Sequence, residues 1–259
     1  MEKISRKSFV KGALGLGAVG ILAGCASSAS STAASASSTA APAEKKEFTF
    51  ADTVRWDAQY DVVVMGMGAA GMVAAKTAAD NGAKVVIVEK CEEGKAGGNT
   101  KVCGQLFAYA NGDKDAAKSY YTALAGGRDI EPEIIDAISE GVANMADILA
   151  DEFGFNKDEY MDWTGVNVGG TNMGAMSPEY PEMPGHEKMA LWTTHAGASD
   201  GYLYQGLKQN VTDRVDAIDV WYSSPAKSLI QDPVTKTVVG VTVERDGKEM
   251  NIRALNGVC

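Results

Sequence analysis

The sequence predicts an α/β fold built on a largely parallel sheet, and three observations predict it. Two short β-branched runs, Tyr60 to Met65 and Lys84 to Glu89, flank a glycine-rich turn and a stretch of small residues. Apolar residues recur at helical spacing between Pro132 and Phe153. Near the end, Val238 to Arg245 and Glu249 to Ala254 face each other across Asp246-Gly247, a two-residue signal for a tight hairpin. Continuous apolar runs suit strands buried on both faces, and strand, helix, strand in that order makes a right-handed βαβ unit.

The first residues belong to an address rather than to a fold. Lys3, Arg6, Lys7 and Lys11 precede an uncharged Gly/Ala/Leu run from Gly12 to Gly24, which is short for a membrane span and suited to a secretory signal. Ser5-Arg6-Lys7-Ser8-Phe9-Val10-Lys11 resembles a twin-arginine export motif with Lys at the second arginine, so export through either the twin-arginine or the general route stays open. Leu22-Ala23-Gly24-Cys25 resembles a lipobox, which makes Cys25 the expected lipidation site and residues 1–25 a lipoprotein signal peptide, with ordinary signal cleavage near Ala26 as the alternative. Residues 26–46 form the expected disordered tether. Between 26 and 43 they are all Ala, Ser, Thr or Pro and have nothing to bury. The globular part is expected over 47–259.

The 259 residues carry a net charge of −10, and the leader is basic, so the remainder is more acidic still. Such a surface argues against nucleic acid as a partner. Cys25, Cys91, Cys103 and Cys259 show no paired metal-site spacing, and no metal is expected. With Cys25 assigned to the anchor, an odd number remains, which argues against a disulfide scaffold.

Within the βαβ unit, Gly66-Met67-Gly68-Ala69-Ala70-Gly71 follows the first strand directly, and Met72 to Asp80 reads as a helix of small residues. Each glycine has its own task. Gly66 permits the sharp turn, Gly68 lets the backbone approach a pyrophosphate, and Gly71 lets the helix pack closely. The helix N-terminus offers oriented N–H groups to phosphate. Glu89 ends the second strand about twenty residues further on, where a carboxylate accepts the ribose hydroxyls of a dinucleotide and disfavours a 2′-phosphate. The fold class is therefore a Rossmann-like dinucleotide-binding domain: a parallel sheet with inserted helices and a β-hairpin or meander. No reduced nicotinamide pool exists outside the membrane, so an exported protein of this kind needs a tightly held dinucleotide. FAD meets that need.

These residues resemble the FAD-dependent fumarate reductase and succinate dehydrogenase flavoprotein family, including flavocytochrome and urocanate-reductase-like members, from about Tyr60 onward. The glycine turn, Glu89-Lys90, and Gly97-Gly98-Asn99-Thr100 carry the resemblance. It implies that Gly97 and Gly98 form a flat loop along the cofactor, with Asn99 and Thr100 offering polar groups to it. It also implies further glycines beside the flavin. Gly104 fits, whereas Gln105 stands where another glycine is expected. Cys103, beside Gly104, is expected to be a buried, inert thiol, with a place near the flavin as the alternative. A segment such as Ser224-Pro225-Ala226 holds the adenine in the family, which points to Ala226. His195 occupies a region where relatives place a flavin-proximal His, a catalytic candidate set against an ordinary packed or exposed imidazole, as for His186.

Further elements are expected as helices at Ala116 to Ala125 and Asp200 to Val215. Strands are expected around Ile218 to Tyr222 and Lys227 to Gln231. In the Pro132 to Phe153 helix, Ile134, Ile135, Ile138, Val142, Met145, Ile148 and Leu149 are expected to face the core.

The resemblance implies hydride transfer to the activated double bond of a small molecule, with electrons from a membrane or redox-protein donor. In the family the substrate clamps and the proton-delivering acid follow the hairpin. The domain is therefore expected to be incomplete at the C-terminus, with Asn256 to Cys259 stopping where the next buried strand should begin. A ketosteroid-dehydrogenase-like desaturase on the same fold, and a non-enzymatic solute-binding lipoprotein, are the alternatives.

Overall fold

The computed structural model describes residues 48–164, 167–168, 171–172, 180–196 and 200–259. The leader, Cys25 and the tether lie outside the described residues. The βαβ unit forms as expected from β1 (Ala58–Met65), α1 (Ala69–Asp80) and β2 (Val85–Val88). β1 and β2 pair in parallel, from Val62 opposite Val85 to Met65 opposite Val88. All four β2 residues are buried, because sheet neighbours flank them and packed layers cover both faces.

The chain continues through α2 (Gly98–Val102), β3 (Phe107–Tyr109), α3 (Lys114–Leu124), α4 (Pro132–Asp151) and β4 (Met161–Asp162). β5 (Asn167–Val168), β6 (Thr171–Asn172), β7 (Ala190–Thr193) and α5 (Tyr202–Thr212) follow. The last strands are β8 (Ile218–Trp221), β9 (Ala226–Gln231), β10 (Val238–Arg245) and β11 (Lys248–Val258).

The main sheet has the order β8-β2-β1-β11-β10-β9. Its first four strands are parallel, while β9, β10 and β11 form an antiparallel meander. β11 belongs to both parts. It pairs with β10 from Lys248 to Arg253 and with β1 from Ile252 to Val258. The Cys259 N–H then donates to the Val63 carbonyl at 2.9 Å, and the Met65 N–H to the Cys259 carbonyl at 2.8 Å. The strand expected to begin at Asn256 to Cys259 is thus already under way, because the hairpin's second strand, β11, carries it from Ile252 onward beside β1. Eleven residues extend roughly 36 Å, long enough to serve two layers.

The meander folds back over the parallel strands. Arg245 on β10 places its guanidinium 4.4 Å from the ring centroid of Trp221 on β8. In a flat sheet these strands would lie about 19 Å apart, four strand spacings. A bulge in β1 helps to fill the space between, since the Lys84 carbonyl accepts from both Asp61 N–H (2.9 Å) and Val62 N–H (3.2 Å). The extra residue switches the strand's facing, so Tyr60 shares a face with Val63. Its hydroxyl donates to Asp219 at 2.5 Å, and its ring meets Trp221 edge-on. Burial, then the bond to Asp219, pushes the Tyr60 phenol well above its ordinary value. Val63, Val86, Val88, Val241, Val243 and Ile252 complete this core.

On the opposite face, α1, α4 and α5 cover Val62, Val64, Val85 and Ile87 through Met72, Ala75, Leu149, Leu207 and Val211. Asp80 at the end of α1 ties the layer together by bonding Arg214, just beyond α5, at 2.6 Å. The α4 stripe differs from the expected one. Ile135, Ser139, Val142, Ala143, Ala146 and Leu149 are buried, while Ile134 and Ile138 are 40% and 42% exposed. α4 carries isoleucines on more than one face, and packing against α3 and β3 selects one of them.

A small antiparallel sheet, β3-β7-β4, and a β5-β6 hairpin had no counterpart among the expected elements. Among the described residues, no helix is long and apolar enough to cross a membrane.

Candidate cofactor site

The site is built where β1 stops. At Gly66 the chain turns with φ +101°, in the left-handed region that a side chain disfavours, and the Gly66 N–H donates to the Val88 carbonyl at 2.9 Å. Met67 is fully buried, and its N–H donates to Oε2 of Glu89 at 2.8 Å. The other Glu89 oxygen accepts the Cys91 N–H at 2.8 Å. The Glu89 backbone donates to the Trp221 carbonyl and accepts from the Ser224 N–H. Glu89, 6% exposed, therefore joins the glycine turn, the end of β2 and the end of β8. An ionised carboxylate offers about four lone-pair directions. Two are used by the backbone, which leaves acceptor capacity for ribose hydroxyls. The sequence suggested only the ribose role, because the bond to Met67 depends on the two strands lying side by side.

Gly68 caps the N-terminus of α1 in an extended conformation, with Ala69 and Ala70 in the first turn. The two later glycines of the turn behave differently. A Cβ at Gly71 would lie 2.1 Å from the Gly66 carbonyl oxygen and 3.2 Å from Val64, so protein packing by itself demands glycine there. A Cβ at Gly68 would meet nothing nearer than the Thr100 hydroxyl at 3.7 Å, an ordinary contact. Among the described residues nothing requires Gly68 to be glycine. The first-turn N–H groups of a helix lack intrahelical acceptors, and that of Ala69 donates to Thr100 Oγ1 at 2.9 Å.

Thr100 thus reaches the glycine turn as the resemblance implied, by a different local structure. The Gly97-to-Thr100 segment is not a flat loop: Gly97 adopts φ +114° and Gly98 to Val102 coil into a short helix. Lys101 Nζ pins this turn by donating to the Gly94 carbonyl. Gly97 is buried, while Gly98 and Asn99 are exposed.

Gly104 has open space beside it, limited by Leu106 at 3.6 Å. Gln105 keeps a glycine-like backbone, φ +61°, although it bears a side chain that is 1% exposed. That side chain accounts for the departure from glycine. Its amide Nε2 donates to the Thr100 carbonyl at 2.7 Å, and its Oε1 accepts the Tyr204 N–H at 3.3 Å, bracing α2 against α5. Cys103 was expected to be buried and is exposed, at the end of α2 with its thiol against the Thr100 carbonyl and Gln105; Cys91, Cys103 and Cys259 are all free.

The Ser223 N–H donates to the Cys91 carbonyl and the Ser224 N–H to that of Glu89. This holds residues 223–225 against the Glu89-Lys90-Cys91 segment. Lys90 is exposed. Ala226 opens β9 opposite Val243, with its position in the sheet strengthened by a bond from the Glu244 N–H to the Pro225 carbonyl. His195 places Nε2 2.9 Å from Asp200 and meets Tyr202, the first residue of α5, edge-on. His186 lies near the surface beside the Met183 carbonyl. Among the described residues no cluster of His, Cys, Asp and Glu could hold a metal.

The structure thus brings together Gly66, Gly68, Ala69, Gly71, Glu89 and Thr100 at the carboxyl ends of β1, β2 and β11, with Lys90 and Ala226 adjoining. In open α/β sheets this is where dinucleotides bind, at the point where strand order reverses. The open side of Gly68, the first turn of α1 and the spare capacity of Glu89 fit the pyrophosphate and ribose of such a group. A family model described as an FAD binding domain matches residues 61–259. The chain belongs to this family. Its cofactor is FAD.

Within the FAD-binding family, the chain is 29% identical over 201 residues to an NADH:fumarate oxidoreductase of Klebsiella pneumoniae, covering 74% of this chain and 19% of that protein. It is 40% identical over 86 residues to a 3-oxosteroid 1-dehydrogenase of Mycobacterium tuberculosis, covering 30% of this chain and 15% of that one. In structure it resembles a 3-ketosteroid-Δ4-(5α)-dehydrogenase of Rhodococcus jostii RHA1 with a TM-score of 0.58 at 22% identity, over 81% of this chain and 47% of the other. The chain therefore spans less than half the length of each of these proteins.

Proposed function

We propose that this chain is the FAD-holding portion of an exported, lipid-anchored flavin reductase that reduces an activated C=C bond of a small molecule. One observation carries the reading. Among the described residues Gly68 has no packing reason to be glycine, yet it stands between the first turn of α1 and the carboxylate of Glu89. A backbone cleared of its side chain at that point serves close approach by a pyrophosphate.

Bound FAD supplies two-electron hydride chemistry. The chain's own residues hold and orient it: Glu89 receives the ribose hydroxyls, the α1 N-terminus and Thr100 face the pyrophosphate, and Gln105 keeps Thr100 in place. On this reading the substrate clamps and proton donor of the reductase belong to residues other than those that build this site, in keeping with the 19% share of the Klebsiella relative that the chain spans. That relative's name pairs fumarate with NADH. The basic leader and lipobox favour export, where no reduced nicotinamide pool is met, so a membrane carrier or redox protein is the proposed donor.

Purified protein is expected to be yellow, with about one flavin per chain. Colourless protein that remains so after refolding with FAD would sink the reading. Export with lipidation at Cys25 predicts incorporation of labelled palmitate that Cys25→Ser abolishes; label retained in that variant would place the lipid elsewhere. The mycobacterial relative supports a second reading, steroid-ring desaturation. The natively expressed protein separates the two, because fumarate reoxidises reduced flavin in a reductase, whereas a 3-ketosteroid bleaches oxidised flavin in a desaturase. Membership of the FAD-binding family sets aside the solute-binding reading, in which the glycines are fold punctuation.

A further inference from the structure

The FAD site has a neighbour that neither the glycine turn nor the Gly97-to-Thr100 segment includes. Tyr204, in the first turn of α5, is 5% exposed, and its hydroxyl is buried with no hydrogen-bond partner among the described residues. Buried tyrosine hydroxyls ordinarily find one. The ring cannot turn away to seek it. A Cβ on Gly97 would lie 2.5 Å from Tyr204 Cε2 and 2.8 Å from Cζ, so the hydroxyl-bearing edge rests on the Gly97 backbone. The Lys101 ammonium sits over the ring, and the Tyr204 N–H is fixed by Gln105, which also holds the Thr100 carbonyl.

The hydroxyl-bearing edge lies against Gly97, in the segment whose Thr100 holds the first turn of α1. Charges from Lys208, Glu89 and Glu93 act on the hydroxyl, and Tyr222, at the end of β8, shares the same neighbours. Burial is the main influence and pushes the phenol above its ordinary value. The group therefore stays a neutral O–H, a donor at ordinary pH. Lys208 is not within hydrogen-bond reach of it, and its ammonium bonds Glu93 at 2.8 Å.

On the reading that this is an FAD site, we propose that the Tyr204 hydroxyl donates a hydrogen bond to the AMP half of the cofactor, to a phosphate or ribose oxygen between Glu89 and Gly97. A donor lodged behind the double-glycine turn explains two features together. Gly97 must lack a side chain for the ring to reach this place, and Gln105 must accept from the Tyr204 N–H to hold α5 in register. Nothing in the sequence separates Tyr204 from an ordinary core residue, since Tyr204, Leu207 and Val211 share one helical stripe.

Tyr204→Phe removes the hydroxyl and keeps the ring. FAD and ADP titrations, with melting of the FAD-free and FAD-saturated forms, test the proposal beside the wild type. The expected result is about a tenfold weaker Kd for both ligands, the span of one ordinary hydrogen bond, and a smaller FAD-induced rise in Tm. The Tm of the FAD-free protein should be unchanged or higher, because a buried unpaired group has been removed. Equal Kd and equal FAD-induced stabilisation in the variant would overturn the proposal while leaving the site intact. Weakened FAD binding with unchanged ADP binding would overturn the assignment to the AMP half. A wild type that binds no FAD would sink the site reading and this inference together.

Discussion

Gly71→Ala is expected to destabilise the protein by about 3 kcal/mol or more, the upper part of the range for overpacking a closed site. The added methyl would lie 2.1 Å from the Gly66 carbonyl oxygen, less than any real contact allows. Neither side can yield cheaply. The Gly66 N–H is tied to Val88 and the Met67 N–H to Glu89, so moving the turn breaks bonds to β2. Moving α1 instead would pull Met72 and Ala75, both essentially inaccessible to solvent, from the core. With typical domain stabilities near 5–15 kcal/mol, the loss should appear as a large drop in urea midpoint. A midpoint equal to wild type would show that the turn is looser than its hydrogen bonds indicate.

Gly68→Ala should have the opposite profile. Its backbone, φ −79° and ψ 177°, suits any residue, and the new methyl meets only Thr100 Oγ1 at 3.7 Å. Restricting the unfolded chain should leave stability unchanged or raise it by about 0.4–1 kcal/mol. The methyl would, however, project where the pyrophosphate must approach the backbone. Loss of FAD affinity by at least about tenfold is expected, roughly 1.4 kcal/mol, read as flavin lost on gel filtration. A stable Gly68→Ala protein with wild-type flavin content would remove the main support for the site. The pair works as a control: one glycine serves the protein, the other its ligand.

Much of the site was legible because its signals are local. Gly66 to Gly71 and Glu89 lie within one βαβ unit, whose short connection leaves few ways to fold. Gln105 illustrates what was not legible. As a departure from an expected glycine it looked like a weakness in the resemblance, whereas its amide links Thr100 to Tyr204, a residue 99 positions away. Tyr204 was hidden for the same reason: its stripe reads as core, and only the docking of α5 against Gly97 distinguishes its hydroxyl. β3, β4 and β7 are too short to announce themselves, and their pairing joins Phe107 to Trp192 across a long stretch of chain.

By itself, the sequence determined the βαβ unit, the place of the glycine turn, the carboxylate that answers it, and the hairpin about Asp246-Gly247. These are properties of backbone freedom and side-chain periodicity over a few residues. Tertiary structure decided the rest. β11 runs beyond the hairpin into the parallel sheet, a bulge at Asp61 turns Tyr60 toward Asp219, and α4 hides Ile135 while exposing Ile134 and Ile138. In each case the choice lies between faces or partners that the local chain permits equally. Burial against a distant element breaks the tie, because only one arrangement closes both cores and satisfies the strand ends that meet at Glu89.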